Sequence, residues 1–373
     1  MSLFKLRGAL TKTQELTLGI IGIAIFLLAW WAVAEMNSTY KAVANTSSEL
    51  PSTLGADSLA NQILVDSILL ADSIAVANAT EHTKIYPLIP PPQVVAKSFP
   101  SLFSDDDVFT QALSSVWSNI QGYFWAVLIS LLFGGLIGLI PLFRGLFSKH
   151  VEAARYLPLT ALTGVFILWF GIDEPMKVAF LAFGIIVFML PVVVQRIDEV
   201  EDVYLKTVFT LGATDWQTIR TVYIPAVMSK FMDDIRVLTA IGWTYIIIAE
   251  FINRTSGLGS LIAIKARQGQ LEKVFAILLV IILIGFIQDR LFVFIDKKMF
   301  PHKYVKTVEA GMIESRYGIF TILGSVLLLL LIGALIPSLT GTLQTIVGLL
   351  VVTSLLLIGY GEFRTFSSKR QNG

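Results

Sequence analysis

The sequence predicts an all-α polytopic membrane protein, and three observations predict it. Apolar residues make up 55% of the chain and charged residues 15%, with a mean hydropathy of +0.75. Soluble domains run nearer a quarter charged. Several windows of about 18 or more residues are almost free of charge, as a helix crossing a bilayer requires. Lys and Arg concentrate in alternate connecting segments, the asymmetry that sets membrane orientation.

Taken in order, the candidate spans are Leu18–Ala34, Ile120–Leu142, Leu157–Phe170, Met176–Val194, Leu238–Ile252, Phe275–Ile295, Ile319–Ile336 and Thr345–Tyr360. The third and fifth fall short of the roughly 20 residues a crossing needs. Placing the N-terminus (Lys5, Arg7, Lys12) in the cytoplasm leaves the long external segment, residues 37–117, with three basic residues, Lys41, Lys84 and Lys97, against eight acidic ones. The first span also has features of a signal peptide: basic residues, an apolar core and Ala32-Val33-Ala34. Its core is long for a signal, and Trp30-Trp31 fit an interfacial belt better than a cleavage site.

These segments divide the chain into a cytoplasmic start and first span (1–36), an external polar insert (37–117), a core (118–305) with a cytoplasmic elbow at about 197–232, and a C-terminal two-span hairpin and tail (306–373). In the insert, Ile63-Leu64, Ile68-Leu69 and Ile74 recur at near-helical spacing around Asp66 and Asp72, which predicts an amphipathic helix. Pro87 and Pro90 to Pro92 predict a stiff lead into the next helix. The hairpin spans carry no charge, so packing against lipid and the core is their expected role.

Composition excludes several chemistries. A net charge of +1 argues against nucleic acid, and the absence of cysteine excludes disulfides, thiolate-held metals and thiol nucleophiles. His82, His150 and His302 lie far apart in sequence, so neither a metal site nor a catalytic site is expected. No Gly-x-x-x-x-Gly-Lys-Ser/Thr loop is present to bind ATP.

One polar stretch interrupts the apolar runs. Residues 197–211 lack Gly and Pro and repeat Val200, Val203-Tyr204, Val208 and Leu211 at helical spacing, which predicts a helix. Gly212 suits a left-handed residue closing it. Thr214 with Gln217 forms a capping box that opens a second helix, with Trp216, Ile219, Val222 and Tyr223 as its apolar face. Pro225 marks the end of that helix or a kink. The prediction is a stiff helix–turn–helix elbow. It is either an interfacial loop helix without a partner or a docking knob that passes displacement to the spans on either side.

The elbow resembles the cytoplasmic loop signature of binding-protein-dependent ABC importer permeases. Gly212 stands at the signature glycine, Val222 at its Ile, and Ile224-Pro225 at its Leu-Pro. Lys206-Thr207-Val208 depart from the Glu-Ala-Ala that opens it. Trp169-Phe170-Gly171 with Lys177 is similar to a pattern of the nitrate/sulfonate/taurine branch, as are Trp243, Ala249-Glu250, Ser256-Gly257-Leu258-Gly259 and the Pro-rich run at 90–92. The resemblance covers about residues 85–305 and the first span.

It implies a type I ABC importer permease-like core of about six spans plus the hairpin, in a bacterial inner membrane with both termini cytoplasmic. It further implies ABC ATPase subunits that bind the ATP, a second permease copy, an extracytoplasmic solute-binding protein and surrounding lipid as partners. The chain itself would be a transport subunit, not an enzyme, and its solute a small anion such as a sulfonate, nitrate or bicarbonate. The residues expected to contact the ATPase are Lys206, Leu211, Gly212, Ala213, Thr214, Trp216, Ile224 and Pro225. Ser256, Gly257 and Gly259 would begin an external loop.

Trp169, Gly171, Trp243, Glu250 and Arg254 are candidates for a pathway or structural role. The (i, i+4) spacing of Glu250 and Arg254 predicts a local ion pair. Asp289-Arg290 is expected to anchor the inner end of the sixth span. Gly134 and Gly138 permit close helix contact, within the chain or between copies. An autonomous secondary transporter or channel would call for midplane ionisable groups or broken paired helices. A membrane-embedded enzyme would call for clustered His, Asp or Cys.

Overall fold

Local capping chemistry sets the first element. Thr11 accepts a hydrogen bond from the Gln14 N–H, and the Gln14 side chain accepts one from the Thr11 N–H, opening α1 (Lys12–Met36). The computed structural model describes residues 10–42, 70, 82–304, 311–335 and 340–371. The amphipathic helix expected around Ile63–Ile74 lies outside the described residues.

The chain divides into two units, Met1–Asp106 with Lys265–Leu278, and Asp107–Ile264 with Leu279–Gly373. In the first, β1 (Thr39–Ala42) pairs antiparallel with β2 (His82–Ile85), and Glu35 at the end of α1 pairs with Lys84. Pro91 and Pro92 start α2 (Pro92–Ser104), where a missing N–H costs nothing. Trp30 donates to the Pro90 carbonyl at 3.0 Å and stacks on Phe275, so α1 is an integrated element of this unit. Asp106, its side chain 8% exposed, accepts from Lys265 and Lys273, each at 2.5 Å. Burial pushes its carboxyl up, but the two lysines outweigh that and hold it below the usual value.

The second unit is built on α3 (Val108–Leu139), α6 (Glu174–Asp198) and α9 (Ile224–Asn253). Glycines set the approach of α3 to α6. A Cβ on Gly134 would stand 2.8 Å from the Val193 side chain, and one on Gly122 2.6 Å from Leu181; Gly138 lies against Ile197. The Gly-x-x-x-G pair therefore serves packing within the chain.

Between α3 and α6, α4 (Pro141–Ala154) is followed by a 3-10 turn (Leu159–Leu162) and α5 (Thr163–Phe170), with a 95° bend. Leu159, Phe166, Met176, Phe180 and Ala249 form one apolar cluster that seats α5 on α6 and α9. The third expected span, Leu157–Phe170, is a single short helical run, Leu159–Phe170, opening with the 3-10 turn, and the bend sets it off from α4 at its start.

Beyond α9 come α10 (Leu258–Arg267), α11 (Leu271–Met299), and the hairpin α12 (Met312–Leu335) and α13 (Thr340–Gln371). Among the described residues seven helices are long and apolar enough to cross a membrane, or eight if the bent pair counts as one span. The all-α polytopic class is what the structure shows.

Three boundaries differ from expectation. The helix predicted across 197–211 is two: α6 ends at Asp198 and α7 runs Asp202–Thr210. Pro225 neither ends nor sharply bends its helix, because the helical run continues from Asp215 to Asn253. A π-turn at Ile219–Tyr223, with the Ile224 N–H bonded to the Ile219 carbonyl, absorbs the proline one turn early. Asp289-Arg290 lie inside α11, not at its end, and Asp289 pairs with Arg236 of α9.

Candidate functional site

Two sites occupy opposite ends of α6, whose 25 residues span about 37 Å. At its C-terminal end is the elbow. Helix α7 closes with a Schellman motif: the Gly212 N–H bonds to the Phe209 carbonyl at 3.0 Å and the Ala213 N–H to Val208 at 3.1 Å. Gly212 has φ +74°, which a side chain would resist. Thr214 then caps α8 (Asp215–Thr218), its N–H donating to Gln217 at 2.8 Å and its hydroxyl accepting from the Gln217 N–H. Both caps tie the turn to the helices on either side of it.

The outer face of the elbow is apolar and uncovered. Leu211 is 80% exposed and Trp216 67%, with Phe209, Tyr204 and Val203 exposed beside them. Lys206 and Ile224 are exposed and Ala213 is half-buried. Behind this face lies a cleft of ≈ 480 Å³, lined by Val200, Tyr204, Val208, Val222 and Pro225 together with Arg196, Glu199 and Lys230.

Charge ties the elbow to the spans. Arg196 of α6 grips Asp234 of α9 with two hydrogen bonds of 2.7 Å and reaches Glu199 at 2.6 Å. Lys230 and Gln195 also donate to Glu199. The hydrogen bond from Arg196 holds the Glu199 carboxyl below its usual value of 4.5, against an opposing push from burial, with Lys230 and Gln195 adding to the lowering. The bidentate Arg196–Asp234 fork fixes orientation as well as distance.

At the N-terminal end of α6 lies a polar cluster. Lys177 has no exposed surface; it pairs with Glu174 and donates to Ser256 Oγ at 2.8 Å. Ser256 donates to Glu174, Ser118 of α3 donates to Glu174, and Ser114 to Ser256. The first N–H groups of α10 find acceptors on α3 and α9. Gly257 N–H donates to Gln111 at 2.7 Å, Leu258 to Ser115 at 2.8 Å, and Gly259 to Glu250 at 2.9 Å. Ser115 in turn donates to Glu250, which is fully buried.

A family model described as "Binding-protein-dependent transport system inner membrane component" matches residues 94–301, over half of the chain. The chain belongs to this family. It is therefore an ABC importer permease, a multi-pass membrane protein of the inner-membrane component class. The permease is 26% identical over 206 residues to the taurine transport system permease protein TauC of Escherichia coli, covering 54% of this chain and 75% of that one. It is 26% identical over 215 residues to the putative aliphatic sulfonates transport permease protein SsuC of Bacillus subtilis, covering 57% and 77%. These relatives place it in a sulfonate/taurine-like branch. A crystal structure of an amino acid ABC transporter with histidines overlays 56% of the chain with a TM-score of 0.42 at 16% identity.

Within the permease the sequence-predicted residues fall into separate groups. Lys206, Leu211 to Thr214, Trp216, Ile224 and Pro225 all lie on the elbow. Glu250, Ser256, Gly257 and Gly259 meet in the polar cluster. Ser256 and Gly257 stand in the short connection before α10 and Gly259 in its first turn, with Ser256 held by α3 and α6, Gly257 by α3 and Gly259 by α9.

Glu250 and Arg254 form no ion pair. Helix α9 ends at Asn253, Arg254 turns left-handed at φ +58° and is exposed, and Glu250 faces Ser115 and Gly259 instead. Trp169 is exposed at the end of α5, which Gly171 terminates at φ +77°. Trp243 is buried and donates to Gln288 of α11 at 2.8 Å, a packing role.

Sequence reasoning missed Gln111, Ser114, Ser115, Ser118 and Glu174, and the Arg196–Asp234–Glu199–Lys230 network. A signal was available for the first group: three serines at (i, i+1, i+4), with Gln111 and Asn119 within a turn of them, mark a polar patch at the start of a long apolar helix.

Proposed function

We propose that this permease forms the membrane path of an ATP-driven importer, and that separate ABC ATPase subunits drive it through the elbow. The observation that carries this reading is the doubly capped turn at Gly212, with Leu211 and Trp216 exposed, α8 running without a break into α9, and Arg196 tying α6 to α9 and to Glu199 just before α7. A rigid knob with an uncovered apolar face is built to receive a push, and the ion-pair network delivers it to two spans. ATP is bound by the partner, because this chain has no phosphate loop of its own.

In this reading the elbow and both termini are cytoplasmic. A second permease copy completes the path, and an extracytoplasmic solute-binding protein delivers solute at the other end of α6. The sulfonate and taurine names of the relatives support a small organic or inorganic anion as solute. Lys206, where the family signature has Glu, calls for an acidic residue on the partner ATPase.

The test is reconstitution with the ATPase. Gly212→Pro removes the N–H that bonds to Phe209 and forbids φ +74°. It is expected to abolish solute-stimulated ATP hydrolysis while the complex still assembles. Full stimulation in that variant would overturn the elbow's role. Solute flux by the purified chain driven by a gradient alone would favour an autonomous secondary transporter.

A further inference from the structure

The hairpin lies beyond the family-matched residues, and its base is organised by charge. Lys298 at the end of α11 pairs with Glu362 of α13 at 2.5 Å, and Ser315 of α12 donates to the same carboxylate at 3.3 Å. Three helices are thereby pinned at one level. Arg364 of α13 pairs with Glu314 of α12 in the same layer. Glycines allow the close approach: a Cβ on Gly361 would collide with Ser315, and one on Gly311 with the Gly361 carbonyl.

The residues next to these pins are cations without carboxylate partners among the described residues. Lys297 lies over the Tyr304 ring at 5.8 Å, and Arg316 over the Phe320 ring at 5.5 Å. Both are exposed. With Asp296, Asp233 and Lys303, which meet beside Tyr304, the layer holds five cations (Lys297, Lys298, Lys303, Arg316, Arg364) against four carboxylates (Asp233, Asp296, Glu314, Glu362). Lys297 and Arg316 are the two cations with no carboxylate partner among the described residues, and Tyr317, Phe363 and Phe366 are exposed near the layer. Directly beyond it, both hairpin helices are apolar on all sides, with exposed Leu323, Leu327, Leu355 and Leu356.

We propose that this layer binds the headgroup of an anionic phospholipid whose acyl chains lie along the hairpin. A surplus of cations at the end of an apolar membrane helix, with aromatic rings beside them, matches a phosphate that carries chains. The leucine faces single out a lipid over free phosphate, because they begin where the cations end. The bound lipid would hold the hairpin base against α11.

The test uses the full chain, purified in detergent and exchanged into nanodiscs of phosphatidylcholine with and without phosphatidylglycerol, with bound lipid counted by native mass spectrometry. The chain is expected to retain phosphatidylglycerol over phosphatidylcholine. Lys297→Gln and Arg316→Gln should each weaken retention about fivefold, as removal of one surface cation does. Arg316→Lys should keep most of it, and raised salt should reduce it in the unaltered chain. Because both positions are exposed, the variants should elute as the parent does; should one misfold, the salt dependence of the parent still decides. Equal retention of the two lipids, retention unchanged in the Gln variants, or displacement by millimolar inorganic phosphate would each overturn the proposal.

Discussion

Gly257 shows how one residue can be required twice. Its φ of +103° disfavours any side chain, and a Cβ there would run into the Glu250 carboxylate. Gly257→Ala is expected to cost about 2 kcal/mol or more, read as a lower Tm of the detergent-solubilised chain. In a double-mutant cycle with Glu250→Ala the two losses should be less than additive, since the collision disappears with the carboxylate. Strict additivity would show that backbone strain alone sets the cost. Gly259 is constrained by contact alone, its would-be Cβ lying against the Ile247 carbonyl. These positions were legible in the sequence as a Gly-rich turn, but their partner, Glu250, was expected to face Arg254. The pairing assumed helical geometry through Arg254, and a left-handed Arg254 breaks the (i, i+4) relation.

At the scale of elements, the elbow separates stability from coupling. Trp216 and Leu211 are largely exposed, so Trp216→Ala should leave the stability within about 0.5 kcal/mol of the parent while weakening ATPase co-purification by about tenfold or more, as loss of an aromatic anchor does. A large drop in Tm with unchanged co-purification would contradict this.

The Glu199 node gives a pH prediction. Because its folded carboxyl titrates below the unfolded value, its contribution is fully present above about pH 4.5 and is lost as pH falls through the lower folded value. Glu199→Gln should therefore destabilise the chain at pH 7 and make little difference in strong acid. Melting curves of the two proteins across that range should converge on the acid side. The caps of this element were readable because Thr214, Gln217 and Gly212 act on near neighbours. The network behind it was not, because Arg196 and Asp234 are brought together only by packing α6 on α9.

For the whole molecule, the proposed orientation puts the elbow and the polar cluster on opposite sides of the membrane. The chain contains no cysteine, so single cysteines report cleanly. A membrane-impermeant maleimide should label Thr210→Cys only from the cytoplasmic side, and Thr255→Cys only from the outside. Labelling of Thr210→Cys from outside would invert the topology and remove the elbow from any ATPase.

The sequence by itself determined the all-α membrane class, most of the spans, the caps of the elbow and the family, because each rests on composition or on residues within a turn of one another. Tertiary structure alone decided that the third expected span stands at 95° to the helix before it, that Pro225 is absorbed by a π-turn, and that Lys177, Glu174, Ser256, Ser115 and Glu250 close one cluster. The reason is physical. In an apolar helix a buried polar group must find a partner, but which of several distant helices supplies it depends on the glycine contacts that set how closely those helices pack.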